Sequence, residues 1–202
     1  TSLADAFAAV SDSNSEDNSL TSVFIQGNLE INSSIEVSAN KRIALLPIGD
    51  VTIKRAAGFA EDMFTVNGIL KMGGSVQDSD GKAIEGALTI DGSGDGVTGS
   101  IVKIISGQYG LSAGTTLTGN KTTGNGGAIN VAEGAEAWLL GGTITGNSAT
   151  VGGGIYSEGT VKLQGSVSVS DNTDITSSEI PSNITLGKKS MISVTGAVSA
   201  SE

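Results

Sequence analysis

Glu133 and Glu158 are the two carboxylates in this 202-residue sequence whose placement comes nearest to an acid–base pair. Glycosidic hydrolysis needs two or three carboxylates clustered on one exposed strand face, one of them with a raised pKa. These two stand 25 positions apart, which the repeat described below makes equivalent corners of neighbouring units. Tyr156, two residues before Glu158, is the aromatic best suited to an exposed, ligand-contacting position. Solvated loop corners explain the same spacing, so no catalytic residue is assigned and the three remain candidates for ligand binding. A β-eliminating enzyme would instead use a carboxylate-bound calcium ion and a cationic base, and Arg42 and Arg55 are the only arginines.

Other chemistry is removed by composition. The chain has neither histidine nor cysteine, which excludes Ser-His-Asp and Cys-His catalysis, thiolate zinc sites and disulfides. A metal would need oxygen ligands, and Asp91 and Asp95 in the run DGSGD are the candidates for a calcium ion. No cofactor is expected. The turn Asp78-Ser79-Asp80-Gly81 matches the middle of an EF-hand loop, but the twelfth loop position falls on Ala87, so an exposed polar turn is expected. Gly94 to Gly99 spells GxGxxG, yet the β-branched run SIVKIIS follows where a dinucleotide site needs a helix. Gly110 to Gly114 spells GxSxG without a histidine to activate Ser112, which reads as a corner serine.

Eleven basic against 21 acidic residues leave a formal charge of −10. Nucleic acid is therefore not an expected partner, and the pairs Lys41-Arg42 and Lys188-Lys189 are slight clusters. No apolar run approaches the roughly 18 residues that would suggest a membrane span. No charged and apolar leader opens the sequence, so any secretion signal is expected to be already removed.

The elements that must position these residues are almost all strands. Leu3, Ala6, Phe7 and Val10 recur at helical spacing, predicting a helix over Leu3 to Val10 with Asp5 in its first turn. From Val23 onward the period is two. Apolar pairs such as Ile43/Leu45, Leu70/Met72, Tyr109/Leu111, Trp138/Leu140, Val161/Leu163 and Ile192/Val194 each put two side chains on one strand face. That register predicts Tyr109 and Trp138 in the core, although Trp138 on an outer face would make a sugar-stacking platform. Between the pairs lie Gly, Asn, Ser and Thr, the residues of turns.

The strands repeat. GGAI at Gly126 recurs as GGGI at Gly152, and LTGN, ITGN and VSDN end at Asn120, Asn147 and Asn172. WLLGGTI from Trp138 aligns with VKLQGSV from Val161, and GILKM (from Gly68) and GALTI (from Gly86) resemble GTVKL (from Gly159). A helix-free unit of roughly 25 residues with two or three short strands is the mark of a β-solenoid, whose turns stack to share one core. Corner asparagines of successive turns are expected to hydrogen-bond as a ladder. The 30 glycines serve the corners, and the 3% aromatic content suits a narrow aliphatic tube.

GGAI and GGGI, each after an xxGN corner, resemble the GGAI and FxxN repeats of polymorphic outer-membrane proteins and related adhesin-like bacterial surface proteins. The order SLADAF, LEINSSIEVSANKRIALL, MFTVNGILKM and ALTIDGSG is similar to gut-bacterial surface proteins of this type. The resemblance implies a pectate-lyase-like, right-handed, single-stranded parallel β-helix. The Phe of FxxN is replaced by Leu117, Ile144 and Val169, a departure that bears on any adhesive role tied to that motif.

The expectation is one all-β domain over 1–202, of seven or eight turns. It comprises an N-terminal cap helix and loop (1–20), irregular early turns (21–98), the clearest repeats (99–172) and a terminal turn (173–202) leading to further domains. Its expected role is a non-catalytic, adhesin-like module of a larger secreted bacterial protein at the cell surface. It would bind glycan or a host or cell-surface protein along its faces, or project other domains, as a monomer. The alternative is a polysaccharide lyase or glycoside hydrolase.

Overall fold

A computed structural model describes the chain apart from residues 1, 13–18, 78, 79, 82, 85 and 199–202. The strands wind as a parallel β-solenoid of about six turns, and each turn lays one strand on each of three faces. The first face runs through Thr21–Gln26, Arg42–Ile48, Ile69–Met72, Gln108–Leu111, the early halves of Glu136–Thr145 and Thr160–Ser170, and Met191–Val198. Leu29–Ile31, Val51–Arg55, Leu88–Asp91, Thr115–Thr118 and the later halves of the two long strands build the second. Ile35–Val37, Phe64–Val66, Val102–Ile104, Ile129–Val131, Ile155–Ser157 and Ile184–Leu186 build the third. The count falls short of seven or eight because excursions such as the hairpin of Val76–Gln77 with Ala83–Ile84 lengthen individual turns.

Period-two alternation makes the core a set of columns, one residue per turn. On the first face Ile43, Leu70, Tyr109, Ala137, Val161 and Ile192 stack in register. The full burial of Tyr109 is matched by the small Ala137 above it, and its hydroxyl donates to Met72 Sδ at 3.5 Å. Burial raises the Tyr109 pKa far above the phenol range. GILKM and GTVKL occupy this same face, whereas GALTI belongs to the second, where Leu88 pairs with Val51 and Thr115.

The repeated corner asparagines form the expected ladder inside the coil. Asn147 Oδ1 accepts from Asn120 N, Asn172 Oδ1 from Asn147 N, and Asn183 Oδ1 from Asn172 N, each at 3.1 Å. Asn120, Asn147 and Asn172 are at most 1% exposed. The residue before each turns the chain through positive φ, +78° at Gly119, +68° at Gly146 and +56° at Asp171. Asp171 is the one non-glycine with positive φ among the described residues. In GGAI and GGGI the second glycine answers a different need: a Cβ on Gly127 would lie 2.0 Å from Gly153 O in the next turn.

The two ends differ. Helix Leu3–Ala9 starts with a Ser2/Asp5 capping box and buries Phe7, with Val10 behind it, against the first turn. Lys41 donates to Ala8 O and Val10 O and pairs with Asp12 at 2.9 Å, placing a cation at the helix C-terminus. At the opposite end Ile192 and Val194 continue the interior columns of Val161 and Leu163. They are nevertheless 40% and 61% exposed, with no described turn stacked upon them. No helix among the described residues is long and apolar enough to cross a membrane.

Trp138 departs from the sequence expectation. Its strand pairs Ala137, not Trp138, with Val161, and a bulge between Leu139 and Gly141 shifts the register beyond it. Ala137 and Leu139 therefore point inward, while Trp138 and Leu140 stand half-buried on the outer face. The WLLGGTI/VKLQGSV alignment is one residue out on its first half, which inverts every side chain there, and two residues out beyond the bulge, where Ile144 pairs with Val169.

Candidate functional site

Three successive corners leave the third face on one side of the coil. Ala132 and Glu133 follow Ile129–Val131, Glu158 follows Ile155–Ser157, and Gly187 to Lys189 follow Ile184–Leu186. Parallel stacking places these corners side by side, with Glu158 N donating to Val131 O and Gly187 N to Ser157 O. Glu133, Tyr156, Glu158, Gly187, Lys188 and Lys189 thus enclose one open cleft of about 370 Å³. The two glutamates singled out by spacing and Tyr156 are together, and the structure adds the two lysines.

Tyr156 points outward between Asn130 and Thr185 of the neighbouring turns. Its hydroxyl donates to Glu158 Oε1 at 2.9 Å, and that bond to a carboxylate raises the tyrosine pKa. Gly187 lets the phenol lie close, since a Cβ there would sit 3.0 Å from Glu158 Cγ and 3.4 Å from the Tyr156 hydroxyl. Lys189 Nζ reaches Glu133 Oε1 at 2.7 Å across the intervening turn. Both partners are mostly exposed, 70% and 62% at their side chains. The cleft therefore offers an aromatic edge, two carboxylates and two ammonium groups in balanced charge.

The remaining candidates separate. Asp91 Oδ1 accepts from Ser93 N at 2.9 Å in its own loop. Asp95 lines a different recess of about 560 Å³ with Glu30 and Lys54. Among the described residues no three acidic side chains converge as a metal cage. Asp80 and Gly81 are exposed at a hairpin tip, while Asp78 and Ser79 lie outside the described residues. Gly94 to Gly99 leads into strand Val102–Ile104, and Ser112 is a buried corner residue. Arg42 is half-buried on the first face in register with Ile69.

Arg55 is a core clamp. It is 2% exposed and donates to Gly92 O at 2.9 Å, to Phe59 O and Glu61 O, and to Asn120 Oδ1 at 3.2 Å. Its guanidinium also lies 5.1 Å from the Phe59 ring centroid, and burial lowers its pKa. A group so committed closes the base of the asparagine ladder, with four of its five N–H donors engaged by the protein itself.

Sequence reasoning missed two features. Lys188 and Lys189 carry a signal only when the repeat is extended one corner beyond Glu158, where an insertion lengthens the turn. A polar recess of about 420 Å³ is lined by Asp62, Ser100, Lys103 and Asn130. There Asp62 accepts from Ser100 N at 2.7 Å and lies 3.6 Å from Lys103 Nζ. The chain matches no protein-family model, no curated protein and no solved structure.

Proposed function

We propose that this chain is a non-catalytic, adhesin-like binding module of the bacterial cell surface, and that the Tyr156 cleft is its ligand site. The observation that carries the reading is the convergence of Tyr156, Glu133, Glu158, Lys188 and Lys189 on one open cleft. Its carboxylates are already engaged, Glu133 by Lys189 and Glu158 by Tyr156. Such a cleft recognises polar groups by exchange of hydrogen bonds, the chemistry of glycan hydroxyls or of a mixed-charge protein surface. The rigid solenoid holds the groups in place without a lid, so little ordering is lost on binding. The extracellular placement and the adhesin type rest on the sequence resemblance.

A second reading, polysaccharide cleavage, is favoured by one detail: Glu133 and Lys189 form a carboxylate–ammonium pair inside a cleft. A glycan array and a reducing-sugar assay on the same panel separate the two. Binding without new reducing ends, weakened by Tyr156→Ala and by Lys189→Ala, is the expected result. New reducing ends that disappear in Glu133→Gln would overturn the non-catalytic reading.

A further inference from the structure

We propose that the outer first face carries a second binding site, an aromatic platform at Trp138 for one pyranose ring of a neutral β-linked oligosaccharide. The indole is held before any ligand arrives. Trp138 Nε1 donates to Glu136 Oε2 at 2.8 Å, and the same carboxylate accepts from Gln108 Nε2 at 3.1 Å. Lys162 Nζ pairs with Glu136 Oε1 at 2.8 Å and lies 4.2 Å from the centroid of the Trp138 ring. One side of the indole is thereby covered by a cation, and its edge is tied to a carboxylate.

The other side looks onto a gap in the row. Across the turns the outward positions read Lys71, Gly110, Trp138 and Lys162. Gly110 contributes no side chain, and a hollow of about 170 Å³ remains above it, lined by Trp138, Lys71, Gln108, Ile69, Leu140 and Leu20. The hollow has an aromatic wall, an aliphatic floor, and an amide and an ammonium at its rim. A flat sugar ring has complementary surfaces: a face of C–H groups to lie on the indole and equatorial hydroxyls to reach Gln108 and Lys71. A fixed aromatic costs little rotamer entropy on binding, which is what the Glu136 and Lys162 contacts supply. The site lies on a different face from Tyr156 and stands whether or not that cleft binds.

Trp138 is the single tryptophan of the chain, so its emission reports directly on the platform. Wild-type protein is titrated with cellohexaose and with chitohexaose, and a saturable emission change with at least one of them is expected. Gly110→Leu fills the hollow and leaves Glu136 and Lys162 in place; its Cβ would meet Lys71 Cγ at 3.5 Å, an ordinary contact. That variant is expected to bind at least about tenfold more weakly. Calorimetric titration of Trp138→Ala is expected to show the same loss, and Lys121→Ala, an exposed position that lines neither cleft, to bind within about twofold of wild type, as distant sites do. Emission unaltered by either oligosaccharide, or Gly110→Leu binding like wild type, would overturn the assignment. So would a loss confined to Tyr156→Ala.

Discussion

Asn147→Ala is the most direct test of how the coil is held together. The Asn147 amide donates to Leu117 O, Thr145 O and Asn172 Oδ1, each at 3.0 Å, and accepts from Asn120 N at 3.1 Å. All of this lies where the residue is 1% exposed. Alanine deprives Asn120 N of its acceptor and two carbonyls of a donor, deep enough that water does not replace them. Each buried polar group left unsatisfied costs about 1–3 kcal/mol. Carbonyls keep a second lone pair for strand bonding, so the low end applies to them, and a loss of about 3–4 kcal/mol is expected. Asn183→Ala is the internal control: the same rung chemistry at the half-buried last position, where water substitutes, costs under about 1 kcal/mol. Urea unfolding followed by far-UV circular dichroism and by Trp138 emission measures both, and coincident transitions license the comparison. If Asn147→Ala costs no more than Asn183→Ala, the ladder is decoration on a coil held by its aliphatic columns, and the reasoning fails.

Three further outcomes follow from single residues. Asp171→Gly is expected to stabilise the chain by about 0.5–1 kcal/mol in urea unfolding, because Asp171 holds a positive φ that Gly119 and Gly146 adopt without strain. Ser157 is fully buried with no partner for its Oγ, in a column between Val131 and Leu186. Ser157→Ala is expected to raise thermal stability by the equivalent of about 1 kcal/mol, and a lower melting temperature would contradict the assignment. The hydrogen bond from Lys162, aided by Trp138 and Gln108, holds the Glu136 carboxyl below its ordinary range. A depressed folded pKa means the contribution is complete above the unfolded value and disappears as pH falls through the lower, folded one. Trp138 emission is therefore expected to change only below the usual carboxylate range, and Glu136→Gln to abolish that change.

Much of the architecture is legible residue by residue. Ile43/Leu45, Leu70/Met72 and Tyr109/Leu111 alternate as strands must when one face is buried, and they stack inward as that pattern requires. Asn147 and Asn172 recur because their corners present the same backbone groups, the preceding asparagine's N–H, the carbonyl two residues back and one carbonyl of the turn below, whereas Asn120 donates to Gly99 O and Gly127 O and accepts from Arg55. Trp138 was not legible. Inside and outside differ by one position in a strand, and the alignment that sets Trp138 against Val161 is one residue out there, where Ala137 takes that place. Arg55 was misleading for a related reason: its chemistry as a cation is visible, but not the carbonyls of Gly92, Phe59 and Glu61 that consume it.

What the sequence by itself determined is the repeating unit: alternating aliphatic strands, positive-φ corners and corner asparagines, which are local consequences of backbone geometry and burial. Only the tertiary structure decided which residues meet across turns. Lys189 reaches Glu133 from 56 residues away, and Gly110 opens a hollow beside Trp138. The physical reason is that a solenoid sets neighbours by stacking register, and every bulge or insertion resets that register for the turns that follow.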